Sequence, residues 1–223
     1  MDNNKKLTIG EIFGLAIKNH KENKLEVAIK LYNQVLENDP NHTSALNNLG
    51  TVFHKLKDNH RAIIAYERII EIDPNHADAH YNLGIVFQMS GENKRAVGCY
   101  EKTIMINSNY ADAHYNLGKV FQVLGENQKA KDCYIKTIKI DSDYTRAYNN
   151  LGTVFQTLGK DKEAIDYYQK TIKIDPNHAD AHNNLGALFY KTGESKKAMA
   201  FFEKAIKINP EHKKAYENLE MMK

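Results

Sequence analysis

His80-Tyr81-Asn82-Leu83-Gly84-Ile85-Val86-Phe87 is the stretch whose reading decides the fold. Leu83, Val86 and Phe87 recur at helical spacing and Gly91 stops the run. Beyond it Ala96, Tyr100, Ile104 and Ile106 form a second apolar stripe, ending before Asn107-Ser108. Residues 77–110 therefore predict a helix, a tight turn near Gly91 and a second helix. Outward from this segment the punctuation returns with a period of 34 residues. Gly50, Gly84, Gly118, Gly152 and Gly186 keep it, as do Gly91, Gly125, Gly159 and Gly193. Ala28, Ala62, Ala96, Ala130, Ala164 and Ala198 keep it too, and Pro40, Pro74, Pro176 and Pro210 fall on the same grid. Self-similarity at one fixed period means a stacked array of one supersecondary unit.

Six repeats follow, at 9–42, 43–76, 77–110, 111–144, 145–178 and 179–212, with a remnant at 213–223 and a short flexible N-terminus at 1–8. A glycine inside a helix costs about 1 kcal/mol relative to alanine. The mid-helix Gly84, repeated in five units, therefore implies a close approach, with the small Ala96-type residue of the paired helix as the expected neighbour. Phe87 and Tyr100 would fill the flanks.

The third repeat carries His80, Leu83, Gly84, Phe87, Ala96 and Tyr100, with Ser108 in place of a proline. The fifth carries Tyr148, Leu151, Gly152, Phe155, Ala164, Tyr168 and Pro176. This spacing resembles the tetratricopeptide repeat, and the resemblance covers residues 9–223. It implies an all-α solenoid, a right-handed superhelix of paired helices whose first helices line a concave groove for partner segments. Both ends depart from the pattern. The first repeat has Ala16 and Asn19 where glycine and an aromatic are expected, and its first helix opens with Thr8 and Glu11, a capping-box pair. The remnant keeps Ala215, Tyr216, Asn218 and Leu219 but has Glu220 at the glycine position, which predicts a capping helix with no second helix against it.

In proteins of this family first-helix positions 2, 5, 6, 9, 12 and 13 face the groove. Position 6 is asparagine in every repeat but the first: Asn48, Asn82, Asn116, Asn150, Asn184 and, in the remnant, Asn218. An asparagine amide offers two donors and an acceptor, matching a peptide group. Helices stack about 8–10 Å apart, and an extended chain advances about 3.3 Å per residue. One asparagine per repeat would meet roughly every third residue of a bound strand. The row is similar to that of O-linked N-acetylglucosamine transferases. The same residues could instead brace neighbouring helices.

The rest of the lining is Tyr81, Tyr115, Thr51, Thr153, Gln88, Gln122 and Gln156, with Lys119 as the main charge, while charges crowd onto second helices, as at Glu92-Asn93-Lys94-Arg95. Hydrogen bonds at about 0.5–1.5 kcal/mol each do not outweigh the cost of ordering a peptide, about 1–2 kcal/mol per residue. Side-chain anchors at Tyr81, Tyr115 or His54 are needed, and affinity near micromolar is expected.

Other function classes fall away. A net charge of +3, from 31 Lys and Arg against 28 Asp and Glu, is too small to make nucleic acid the default partner. The uncharged run 147–158 does not suit an RNA-reading groove either. No apolar run is long enough for a membrane span, and residues 1–6 are not backed by a signal-peptide core. With only two cysteines, Cys99 and Cys133 at equivalent places one repeat apart, a cytoplasmic location is expected. The lysine and arginine clamp that grips chaperone tails is absent, position 5 being Phe13, Asn47, Tyr81, Tyr115, Asn149 and Asn183. His76 and His80, and His178 and His182, have zinc-like spacing, but they fall in an inter-repeat loop and at a packing position. Thr103, Thr137 and Thr171 likewise occupy a repeat-packing position. No nucleotide or nucleophile-elbow motif occurs.

The reading is a non-enzymatic interaction module with no cofactor and no metal, holding a protein or peptide segment in its groove. Asn48, Asn82, Asn116, Asn150 and Asn184 would grip the backbone, and Tyr81, Tyr115 and Lys119 would select side chains. A docking arm for a separate glycosyltransferase or sulfotransferase, and a self-assembling scaffold, are the alternatives.

Overall fold

In the computed structural model, residues 7–222 are described, and among them thirteen α-helices and no strand occur. Residues 1–6 of the expected flexible segment lie outside the described residues. The chain forms two compact bodies, Met1–Ser108 and Asn109–Lys223.

The first body holds three helix pairs: α1 (Ile9–Lys21) with α2 (Leu25–Asn38), α3 (Thr43–Lys55) with α4 (Asn59–Ile72), and α5 (Ala77–Met89) with α6 (Asn93–Ile106). The second holds α7 (Ala111–Val123) with α8 (Asn127–Ile140), α9 (Thr145–Thr157) with α10 (Asp161–Ile174), and α11 (Ala179–Lys191) with α12 (Ser195–Ile208). The eight-residue α13 (Lys213–Glu220) closes it by packing on α12 and α11. Within each body every second helix also packs on the first helix of the next pair, which is how a repeat array builds a continuous core.

The sequence sets the boundaries of these helices. Thr8 opens α1 with a complete capping box: its hydroxyl accepts from the Glu11 N–H at 3.2 Å, and the Glu11 carboxylate accepts from the Thr8 N–H at 2.8 Å. Four first helices are capped by histidine. Nδ1 of His42, His76, His178 and His212 accepts from the backbone N–H three residues on, each at 3.2 Å. The expected inter-repeat loop position is thus an N-cap. The turn between paired helices requires a left-handed residue, and Gly91, Gly125, Gly159 and Gly193 supply it with φ between 72° and 83°. Asn23 and Lys57 hold the same turn position at φ 61° in the first two pairs.

One packing expectation needs correction. The nearest neighbour of each mid-helix glycine is the position-24 ring, with the Ala96-type residue Ala198 also close to Gly186, its carbonyl 3.2 Å from where a Cβ would stand. A Cβ on Gly84 would lie 2.7 Å from Cε1 of Tyr100, and the same ring face meets Gly50 (Tyr66), Gly118 (Tyr134), Gly152 (Tyr168) and Gly186 (Phe202). The alanines are fully buried. It is the bulk of the position-24 ring, laid flat against the first helix, that demands glycine.

Candidate peptide-binding face

Most polar groups on the first helices are engaged with the fold. The rings that press on the glycines are fully buried, so their hydroxyls need partners. Tyr100 donates to Gln88 Oε1 at 2.7 Å, Tyr168 to Gln156 Oε1 at 3.0 Å, and Tyr134 to Gln122. Thr51 lies 3.2 Å from the Tyr66 hydroxyl, and Thr153 accepts from Tyr168 at 3.2 Å. Burial raises the pKa of Tyr66, Tyr100, Tyr134 and Tyr168, the last to about 12. The glutamines and threonines expected to line a groove thus serve first as acceptors for buried tyrosines. In the last pair Phe202 has no hydroxyl, and Tyr190 stands where the three preceding pairs have glutamine.

The asparagines form a second layer of bonds, from position 6 of one repeat to position 5 of the repeat before. Asn82 Nδ2 donates to Asn47 Oδ1 at 3.0 Å in the first body. In the second body Asn184 donates to Asn149 at 3.3 Å, and Asn218 to Asn183 at 2.8 Å. Asn150 donates to the Tyr115 hydroxyl at 3.2 Å and to the Tyr134 hydroxyl at 3.4 Å. The acceptors Asn149 and Asn183 are buried, while the donors stay half-buried at the surface. The Asn48 side chain makes no hydrogen bond among the described residues. The register sets it against Phe13, a ring without an acceptor.

These helix pairs, repeating with a buried ring on a glycine, match known families. Models described as tetratricopeptide repeats match residues 41–107, 111–144 and 179–212, and one described as a TPR repeat matches 157–193. The crystal structure of MamA is 32% identical over 74% of this chain and 96% of its own, with a TM-score of 0.69. The chain belongs to the tetratricopeptide repeat family. YrrB, described as a TPR protein with an unusual peptide-binding site, is 25% identical, covers 83% of this chain and 96% of its own, and has a TM-score of 0.69. PilF of Pseudomonas aeruginosa, at 23% identity over 79% of this chain and 88% of its own, shares the fold at a TM-score of 0.67. No curated protein matches. As a TPR protein the chain is a scaffold for protein interaction.

The side chains expected to select a partner differ in access. Tyr115 is only 8% exposed and packs on Tyr144 (4.9 Å between centroids) and Tyr134 (5.8 Å). Tyr81 and Lys119 are half-buried, Tyr81 with its ring 5.9 Å from that of Tyr100. Burial, and then the charge of Arg146, lower the pKa of Lys119. Arg146 is a residue the sequence reading missed. Its guanidinium lies 5.5 Å from the Tyr115 ring centroid and 5.6 Å from that of Tyr144. The signal was there, since Arg146 sits at groove position 2, where neighbouring repeats have Asp78, Asp112 and Asp180. These charges also correct the expectation of a nearly uncharged face.

The zinc-like histidine pairs are bound into the backbone. His80 Nε2 donates to the Pro74 carbonyl at 3.1 Å and His182 Nε2 to the Pro176 carbonyl at 3.0 Å, while His76 and His178 cap helices. Thr103, Thr137 and Thr171 are fully buried, each donating to the carbonyl four residues earlier at 2.9–3.0 Å. Among the described residues no helix is long and apolar enough to cross a membrane.

Proposed function

We propose that this TPR protein, without catalysis of its own, holds an extended segment of a partner protein along the first-helix face. Asn48, Asn82, Asn116, Asn150 and Asn184 read its backbone, and Tyr81, Tyr115 and Lys119 contribute side-chain contacts. The observation that carries the reading is the placement of the amides. Asn82 in the first body and Asn184 in the second each stay half-buried at the surface with an amide hydrogen beyond the one given to the preceding repeat, while Asn150 spends both of its hydrogens on the Tyr115 and Tyr134 hydroxyls. Amides so held within each body are preorganised, which lowers the entropy lost on binding. The description of YrrB as a TPR protein with a peptide-binding site supports the same use.

Bracing and gripping are compatible roles, and Asn48 separates them because it braces nothing. Peptides enriched from a random displayed library on the wild-type protein would be titrated back while the asparagine side-chain amide signals are followed by NMR. Shifts of those signals, with several-fold weaker binding by Asn48→Ala for peptides that shift the Asn48 signal, support the reading. Shifts confined to second-helix residues, or no enriched peptide, refute it.

A further inference from the structure

We propose that Lys119 and Arg146 form a carboxylate-recognition site that takes an Asp or Glu side chain of the bound segment; this rests on the peptide-holding reading above. Both residues break the repeat. Position 9 is Ile17, Thr51, Ile85, Thr153 and Ala187 elsewhere, and Lys119 is its one charge. Position 2 is Gly10, Ser44, Asp78, Asp112 and Asp180 elsewhere, and Arg146 is its one cation among the six repeats. The two departures fall on adjacent first helices, α7 and α9, of one compact body.

The structure sets both cations against one ring. Lys119 Nζ lies 5.6 Å and the Arg146 guanidinium 5.5 Å from the Tyr115 centroid. Neither forms an ion pair among the described residues. The nearby carboxylate of Asp112 is engaged, accepting from the Tyr144 hydroxyl at 2.6 Å. Asp180, its counterpart two repeats on, accepts in the same way from His212 at 3.0 Å. An aspartate at position 2 thus binds the residue that opens the next repeat. Arg146 cannot accept that bond from His178, which caps α11 as His212 caps α13. A half-buried lysine in the field of an arginine, with neither in an ion pair, is unfavourable in the unliganded protein. A carboxylate arriving between them relieves that repulsion and gains charge-assisted hydrogen bonds.

The test uses the full chain and an array of immobilised peptides in matched sets, identical except for Glu, Gln or Lys at one central position. The wild type is expected to bind Glu peptides about tenfold more tightly than their Gln counterparts. Lys119→Met with Arg146→Met should abolish that difference while leaving Gln binding in place. Arg146→Asp installs the residue that neighbouring repeats already fold with, and should shift the preference toward Lys peptides. Circular dichroism confirms that each variant is folded. Equal binding of Glu and Gln peptides by the wild type, or a Glu preference that survives in Arg146→Asp, overturns the site while the peptide-holding reading stands. A wild type that binds no peptide in any set overturns both.

Discussion

Gly152→Ala should destabilise the protein even though alanine is the better helix former. An ideal Cβ at Gly152 would stand 2.6 Å from Cε1, 2.8 Å from Cδ1 and 3.1 Å from Cζ of Tyr168. Carbon atoms prefer about 3.5–4.0 Å, so the ring or the helix must move by close to an ångström. The ring has no slack. Tyr168 is fully buried, and its hydroxyl donates to Gln156 at 3.0 Å and lies 3.2 Å from the Thr153 hydroxyl. Overpacking a core costs about 1–3 kcal/mol, and a strained hydrogen bond adds up to about 1 kcal/mol. Against this stands a gain of about 1 kcal/mol in helix propensity. A net loss of up to about 3 kcal/mol is expected. Gly98→Ala is the control: Gly98 lies within α6, is exposed, and a Cβ there meets nothing within 4 Å, so this change should gain about 0.5–1 kcal/mol. Urea unfolding followed by circular dichroism gives the values. Amide exchange localises the effect, because a repeat array can open from one end. A Gly152→Ala protein as stable as wild type would show that the ring does not dictate this glycine.

Other consequences can be measured on the same protein. Lys57→Gly, at φ 61° in the turn position that Gly91 and its equivalents hold, should raise the urea midpoint, worth up to about 1 kcal/mol. Asn82→Ala should lose about 1 kcal/mol of stability with the bond to Asn47, whereas Asn48→Ala should be neutral in unfolding and deficient only in peptide binding. Buried tyrosines make the fold sensitive to base. Burial raises the pKa of Tyr32, Tyr66, Tyr100, Tyr134 and Tyr168, so above pH 10 the unfolded chain ionises while the folded chain holds its protons. The stability these tyrosines contribute is fully present below pH 10 and should fall between pH 10 and about 12, the value for Tyr168, with tyrosinate absorbance rising as helix is lost.

The architecture was legible because periodicity is a property of the chain: helix pairs, the glycine turns, the Thr8–Glu11 cap and the terminal α13 all follow from spacing and local chemistry. What spacing does not contain is direction. Gly84 and Tyr100 lie 16 residues apart on paired helices, and nothing in their positions says that the ring, and not Ala96, lies across the glycine. The candidate face was half legible for the same reason. The asparagine row could be read off the sequence, but its bonds run 35 residues back to Asn47, Asn149 and Asn183, a register that only stacking fixes. Arg146 escaped notice for a different reason: attention to what repeats passes over the one residue that does not.

That difference bears on where selectivity resides. Gln88, Gln122 and Gln156 stand opposite tyrosines, His20 and His54 stand at the same position in the first two repeats, and Tyr190 stands opposite Phe202, so the glutamines answer an internal hydroxyl. The position-6 asparagines answer position 5 in the repeat before. Side chains held this way are uniform along the array, and a uniform row can favour an extended backbone but cannot tell one sequence from another. Discrimination needs groups that differ between repeats and are not required by packing. On the second body's first helices Lys119 and Arg146 meet both conditions, being charged, unpaired and absent from the equivalent places in other repeats. Replacing them should change which segment is held while leaving the unfolding midpoint of the array within about 0.5 kcal/mol of wild type.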